Sequence, residues 1–525
     1  MSGFERIVSE PLGGSALARA ISQGATAPLQ WCAPRPSGVA GWRAAAAAAR
    51  GDASTARARL DSLAPALGAA GQWTSLRDAF DRGSVVTTGQ QPGLLGGPLY
   101  TLWKALSARS LAAAIQRAAG MPVVPVFWAA TDDADFAEAS GTTVIDSGEL
   151  HVLHLSVPDG HVEGTPLAHV PAHPTSDLRA LLRRAAGSAA SADIVADALE
   201  AWTSGRTIGD AYVAQLRGLL EPLGIAVIDA AHPAVGAASR QTLGEALTKS
   251  AAVIAALDAR EAAITAAGFE PQVQSVPGLS LVFGWQDGSK VRLKIGARVD
   301  DSTRLSPNVL LRPVVERAIL PTVAYVAGPG ELAYFAQVSA VADALEVASP
   351  VAVPRWSGTV VDHGSARLLD EMGLEIDDLI DLHRLENTLA TEALAPAVRD
   401  ALASAHVALR SASRALIEEG AGVPRASVDG AVRSIELRLE RLARRYRAAV
   451  KRGGDERLRR LQAASAMLRP GGKRQERVIG FVALLARYGP TMLTAASALT
   501  DAHAVTIVDD IAAPGSETAV RDSAG

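Results

Sequence analysis

The sequence predicts an α/β fold: a parallel sheet interrupted twice by smaller modules and followed by a helical carboxy-terminal third. Three observations carry this reading. The run SVVTTG from Ser84 passes through a glycine-rich turn into GPLYTLWKALSARSLAAAI, whose apolar residues recur at helical spacing, and the β-like run PVVPVFWAA follows from Pro122. Strand, helix, strand in that order is a parallel βαβ unit, with the loop after each strand on one edge. The same alternation returns in LPTVAYVAGPGELAYFAQV and VAVPRWSGTVV. Beyond about residue 366, apolar positions step by three and four, which is a helical period.

The elements follow in order. Residues 1–80 read as helices with polar breaks, for example ARARLDSLAPAL, and form a helical leader that packs on the core. The core spans 81–365. Its first insertion, about 134–218, is rich in turn residues and separates the first βαβ unit from the strand-like GIAVIDA at 224–230. A long alanine-rich helix from about Ala234 to Ala267 precedes a second insertion at 268–315, where short β-like pieces (LSLVFGW, KVRLKI) alternate with turns. In the helical domain, 366–500, Val398, Leu402, Ala405, Leu409, Ala412 and Leu416 form one seam. After the breaker GAGVP, Val428, Val432, Ile435, Leu439, Leu442 and Tyr446 form a second, and two seams joined by a short turn make an antiparallel hairpin suited to coiled-coil packing within one chain or between two. Residues 501–525 read as a tail.

Composition narrows the function. With 525 residues, two to four domains are expected from a prior of about 150 residues each. A net charge of -4 provides no general drive toward nucleic acid, whose binding rests on neutralised phosphates, so small-molecule substrates are expected instead. The single cysteine, Cys32, excludes an intrachain disulfide framework and fits a reducing compartment. Glu5 and Glu10 stand where a secretory signal is basic and then apolar, and no apolar stretch approaches the roughly 20 residues of a membrane span. A cytoplasmic protein is the expectation.

The first chemical motif is TTGQQPGLLGGPLYTLWK, between a strand and a helix. Gly89, Gly93, Gly96 and Gly97 allow close backbone approach, and the helix amino terminus favours an anion such as phosphate or carboxylate. The motif matches neither the Walker loop nor the dinucleotide G-x-G-x-x-G pattern. A tight βα turn is the alternative. Thr88, Gln90, Gln91, Tyr100 and Lys104 add polar groups to it. The second motif, FWAATDDADF, clusters Asp132, Asp133 and Asp135 after the next strand. Ligands of open parallel sheets bind beyond the carboxyl ends of strands, so both motifs can share a crevice. Paired carboxylates can serve as a base or hold a metal, or simply cap a helix. Third, AYVAGPGELAYFAQ places Gly328 and Gly330 in a turn, with Glu331 in the first helical turn and Tyr334 three residues on. PRWSGT offers Arg355 and Ser357 after the last strand, and RPGGKRQERV (469–478) is a charge-dense break in a helical region. No Cys/His metal spacing and no G-x-S-x-G elbow occurs, so no tightly bound metal is expected.

Taken together, TGQQPGLLGGPLYTLWKALSA, PVFWAATDDADFAEA, SPNVLLRPVVERAILPTVAYVAGPGELAYFAQ, PVAVPRWSGTVVD and LRPGGKRQERV resemble, in order and spacing, the cysteine-adding enzymes of bacillithiol biosynthesis. The resemblance covers about residues 84–490. It implies a Rossmann-like core related to class I aminoacyl-tRNA synthetases, two connecting insertions, and a coiled coil supporting a homodimer. It further implies a ligase that joins cysteine to glucosaminyl malate, the last step to bacillithiol. One departure stands out: where that family commonly has Gly-Glu-Asp-His-Asp-Phe, this chain has Thr131 to Phe136 with Ala134 in place of histidine, so no acid–base role for that histidine carries over.

Forming an amide in water requires an activated carboxyl group, so ATP or another nucleotide is expected. The Gly89–Gly97 amides are expected to hold phosphates, Lys104 to offset charge, and Asp133 or Asp135 to deprotonate the amine. Arg312 and Arg355 are the expected partners of the malate carboxylates. Other readings of the same fold are a different ATP-dependent amino-acid ligase, a nucleotidyltransferase, or a coiled-coil scaffold with a silent Rossmann domain.

Overall fold

The computed structural model describes residues 4–68, 72–187, 191–203, 205–286, 288–419, 422–453, 456–509 and the backbone of 519–521. The chain divides into two units. One comprises Met1–Asp146, Leu150–Val360 and Glu476–Gly525, the other Ser147–Glu149 and Val361–Gln475.

In the first unit, β1 (Phe4–Ser9) precedes the leader helices, and the core begins with β2 (Ser84–Gln90) and β3 (Val123–Ala129). The first insertion carries the two-stranded sheet of β4 (Gly141–Asp146) and β5 (Glu149–His154), and the chain returns to the core at β6 (Ala226–Asp229). The second insertion contains β7 (Leu279–Gln286), β8 (Ser289–Lys294) and β9 (Leu305–Pro307), an antiparallel sheet in the order β8-β7-β9. Strands β10 (Thr322–Ala327) and β11 (Ala352–Pro354) complete the core.

Five core strands pair in parallel in the order β11-β10-β2-β3-β6. Their near-continuous burial follows from helices on both faces, which leave no side of the sheet to water. Alternation along each strand assigns the layers. Val85, Val124, Val126 and Ile228 pack with Leu60, Leu63 and Phe80 of the leader helices Ala53–Leu67 and Trp73–Arg82. Val86, Val123, Val326 and Val353 pack with Trp42, Leu111 and Ile115 on the opposite face. The order reverses beside β2, where the chain first builds outward through β3 and β6 and later returns as β10.

One expectation changes here. The leader is not wholly helical: Phe4 and Ile7 are buried along a strand that pairs with β12 (Gly358–Asp362), and Glu10 N–H donates to Ser357 O at 2.9 Å. The last helix of the expected helical domain packs on the core. The helix Phe481–Val508 buries most of one side against the helix Leu99–Ala119, so residues 476–508 belong to the first unit, and Val508 O accepts the Trp42 indole N–H at 3.3 Å. Most of the expected tail lies outside the described residues. No helix among the described residues is long and apolar enough to cross a membrane.

The second unit contains the hairpin of Pro396–Glu419 and Arg425–Arg452, as the two seams require. Part of the breaker between them lies outside the described residues.

Because the leader packs Phe80 against the core strands, Phe80→Ala should cost about 3–5 kcal/mol of stability, as removal of a fully buried aromatic does. Urea denaturation of the variant checks this, and a loss below about 1 kcal/mol would show that the leader is not part of the folding unit.

Candidate functional site

A crevice opens where the strand order reverses, as open α/β sheets require. It is a cavity of about 460 Å³ lined by residues beyond the carboxyl ends of the core strands: Gly89, Gln90 and Gln91 after β2, Asp132 and Asp133 after β3, Gly328, Gly330 and Glu331 after β10, and Arg355 after β11. Tyr100, Lys104, Arg312 and Tyr334 join them, and the second insertion adds Trp285, Lys290, Arg304 and Asn308. Six cationic side chains and three carboxylates line the cavity, and Glu316 and Glu476, just behind the lining, pair with Arg312 and Arg355.

Its floor is a buried polar network. Gly328 caps the helix Pro329–Ala344, Pro329 occupies the first helical position, and Glu331 reaches back to accept the Gly328 N–H at 2.6 Å. The other Glu331 oxygen accepts from Tyr325 Oη at 2.6 Å. From the helix Leu99–Ala119, Lys104 Nζ lies 2.7 Å from Glu331 and donates to Gly89 O at 2.5 Å and Gln90 Oε1 at 3.1 Å. All three donor positions are thereby directed. Burial pushes the Lys104 ammonium below its usual value, against the pull of Glu331. Burial alone would raise the Glu331 carboxyl, but Lys104 and Arg312 hold it below the usual carboxylate range.

Arg312 donates to Glu316 at 3.0 Å, Tyr325 Oη at 3.0 Å and Tyr334 Oη at 3.1 Å. Burial pushes the Glu316 carboxyl up to about 7, although Arg312 opposes it. Arg355 makes a bidentate pair with Glu476 at 2.8 and 2.6 Å, with both residues 2% exposed. Both arginines expected to receive substrate carboxylates are therefore matched by the protein's own acids, the price of holding a guanidinium out of water.

The acidic cluster divides its work. Asp132 pairs with Lys290 at 3.2 Å. Asp133 lines the cavity, accepts the Asp135 N–H at 2.9 Å, and has its carboxyl pushed up mainly by burial. Asp135 is exposed and caps the short helix Phe136–Ala139 by accepting the Glu138 N–H at 2.9 Å, so it takes the capping role and lies off the cavity.

The glycine-rich loop also divides. Gly89 lines the cavity, but Gly93, Gly96 and Gly97 do not. The Gly96 N–H donates to Gly93 O and the Gly97 N–H to Leu94 O, so neither amide is left for an anion. A Cβ on Gly96 would sit 2.4 Å from the Phe481 ring, and φ is +82° there, which explains the glycine by packing. Thr88 and Ser357 also lie off the cavity: Thr88 donates its hydroxyl to Val326 O at 2.8 Å, and Ser357 is buried beside β1.

Sequence reasoning did not single out Trp285, Lys290, Arg304, Glu316 or Tyr325. The first three come from a sheet whose local pattern announces only short strands, and nothing in the chain order places that sheet over the carboxyl edge. Glu316 had a signal, standing one turn after Arg312 in RPVVERAI. Among the described residues, no group of three or more His, Cys, Asp or Glu side chains is placed to hold a metal ion.

The chain matches two family models. Bacillithiol biosynthesis BshC, N-terminal Rossmann-like domain, matches residues 74–301 and 295–356, and Bacillithiol biosynthesis BshC, C-terminal coiled-coil domain, matches 358–506. Relatives named "Putative cysteine ligase BshC" include one from Solibacter usitatus, 31% identical over 428 residues that cover 77% of this chain and 80% of the relative. Another, from Salinibacter ruber, is 31% identical over 78% of this chain and 79% of its own. A third, from Geobacillus kaustophilus, is 30% identical over 78% of this chain and 81% of its own.

The buried Glu316 gives the site a pH signature. Between about pH 4.5 and 7 the unfolded chain releases a proton that the folded chain keeps, so this group makes stability fall as pH rises through that window and contributes no slope above it. Glu316→Gln should remove this component, measured as the difference in urea unfolding free energy between variant and parent from pH 4.5 to 7.5. A difference that is flat with pH would show that Glu316 titrates normally.

Proposed function

Because the chain belongs to the bacillithiol biosynthesis BshC family, we propose that it is a cysteine ligase that joins cysteine to glucosaminyl malate, forming bacillithiol in the cavity at the carboxyl edge of its sheet. The observation that carries this reading is the charge of that cavity. Glucosaminyl malate brings two carboxylates and cysteine a third, and of the six cationic side chains lining the cavity Arg304 and Arg477 have no carboxylate within 4 Å among the described residues, in a volume of about 460 Å³ that is ordinary for a small-molecule site.

The new C–N bond forms as the sugar amine attacks the cysteine carboxyl carbon, and the amine proton must leave. Asp133 is the group we assign to receive it: it lines the cavity, and a carboxylate raised by burial is a stronger base than an exposed one. Lys104, held in place by Gly89, Gln90 and Glu331, offsets negative charge developing on the acyl oxygen. A nucleotide would supply the leaving group that makes the cysteine carboxyl electrophilic. The cationic excess fits its phosphates, with Gln90, Gln91 and Arg477 at the β2 side of the cavity as the residues to hold it through side chains, since the Gly96 and Gly97 amides are already used.

We also assign a homodimer to the coiled-coil hairpin. Leu416, Ile435 and Leu442 are each more than 40% exposed along seams of helical period, and a stripe of this kind is stable in water only when covered.

Asp133→Asn should fold and melt like the parent and bind glucosaminyl malate, yet form product roughly 10²-fold more slowly. A coupled assay of bacillithiol from purified protein, cysteine, glucosaminyl malate and ATP measures this, and unchanged turnover would remove Asp133 from the reaction. Absence of product from the parent protein would overturn the ligase reading itself. For the dimer, replacing Leu439 and Leu442 by lysine should shift the protein toward monomer in sedimentation velocity at micromolar concentration. A parent chain that is already monomeric there would refute the assignment.

A further inference from the structure

The ion pairs of the cavity separate its cations into two groups. Lys104 holds Glu331, Lys290 holds Asp132, Arg312 holds Glu316 and Arg355 holds Glu476, all within 3.2 Å. Arg304 and Arg477 have no carboxylate within 4 Å among the described residues. They differ in setting: Arg477 is exposed, whereas Arg304 is half-buried.

Arg304 is also held in a fixed plane. Its guanidinium lies 3.7 Å over the Trp285 ring, and one terminal nitrogen donates to Ala231 O. Trp285 is itself anchored, by its indole N–H to Ser306 Oγ at 3.2 Å and by the edge of His169 at 5.3 Å. Among the described residues Nε, Nη1 and the second N–H of the Nη2 that bonds Ala231 meet no protein acceptor, so one bidentate edge of the guanidinium, pairing that Nη2 N–H with Nε or Nη1, is left open. A guanidinium stacked on an aromatic face keeps its in-plane donors free for a planar, bidentate anion. Asp132 and Asp229 act on Arg304 only from beyond ion-pair distance, and holding a guanidinium partly out of water without a direct partner is costly, so an anionic ligand in the cavity has a ready partner.

We propose that Arg304, oriented by Trp285, is the residue that recognises a carboxylate of the malyl group and so selects a malyl-bearing acceptor over a neutral glucosaminide. This deepens the proposed ligase reading and rests on it for the identity of the acceptor. The cysteine carboxyl is consumed in the reaction and must lie where the amine reaches it. The malyl carboxylates pass through the reaction unchanged and need a cation that the protein has not already neutralised. The receptor comes from the second insertion, which makes that antiparallel sheet a specificity element of the catalytic unit.

Calorimetry tests this without depending on turnover. Full-length parent, Arg304→Met and Arg304→Lys are titrated with glucosaminyl malate, methyl α-glucosaminide and ATP, with melting curves for each protein. Arg304→Met should bind glucosaminyl malate at least tenfold more weakly, with methyl α-glucosaminide and ATP unchanged. Arg304→Lys, which keeps the charge and loses the fork, should fall between the two even if the methionine variant melts early. The proposal is overturned if the parent binds glucosaminyl malate no better than methyl α-glucosaminide, if both variants bind it as the parent does, or if the loss appears with ATP instead. Arg304-dependent binding without cysteine addition would sink the ligase reading and leave this receptor standing. Product formation with unaltered acceptor affinity in both variants would do the reverse.

Discussion

A parallel sheet delivers the carboxyl end of every strand to one edge, and in this chain the third strand outward, β6, is the last on its side before the polypeptide returns across β2 to lay down β10. The loops after β2 and β10 then leave the sheet in opposite directions, and a crevice opens between them. Everything with chemical interest is arranged around that gap. Gly89 and Gln90 lie on one side, Gly328 and Glu331 on the other, and Lys104 crosses beneath to join them. Without the reversal, Lys104 and Glu331 would be two unrelated charges.

Charge burial is the second constraint. Lys104, Arg312, Arg355, Glu316, Glu331 and Glu476 are all taken largely out of water, and each is tolerated because an opposite charge and directed hydrogen bonds meet it. A network of this kind gives little net stability for its charge count. It fixes the geometry of the cavity floor, so a ligand meets donors that need not reorganise. The cost of that order is chemical unavailability, since a guanidinium already neutralised by a carboxylate attracts a second one weakly. This is why the identity of the unpaired cations carries more information about recognition than the total number of positive charges.

Much of the fold and some of the site could be read from residues alone. The β-like runs at Ser84, Pro122, Gly224 and Leu320 each became a core strand, and the seams beyond residue 396 became two long helices, because period and burial are local properties of a strand or helix. The strand at Phe4 was missed for the complementary reason: a short isolated segment has no period of its own, and it becomes a strand because distant segments, β12 and Ala519–Arg521, pair with it. In the site, Lys104, Asp133, Glu331 and Tyr334 were found because strand–loop–helix junctions mark the carboxyl edge in sequence. Gly96 and Gly97 were assigned to the cavity by the same rule and lie outside it, because the loop turns its amides onto its own carbonyls and its glycines against Phe481.

What the sequence determined by itself was therefore the set of elements, the family whose motifs they carry, and the strand ends from which a site must be drawn. Only the tertiary structure decided which charges cancel. Arg312, Arg355 and Arg304 are indistinguishable as letters, yet Glu316 and Glu331 lie within 4 Å of the first and Glu476 pairs with the second, while the third is stacked on Trp285 with donors to spare. Ion pairing and burial depend on distances between segments far apart in the chain, and a Coulomb interaction of a few ångströms has no counterpart in sequence spacing.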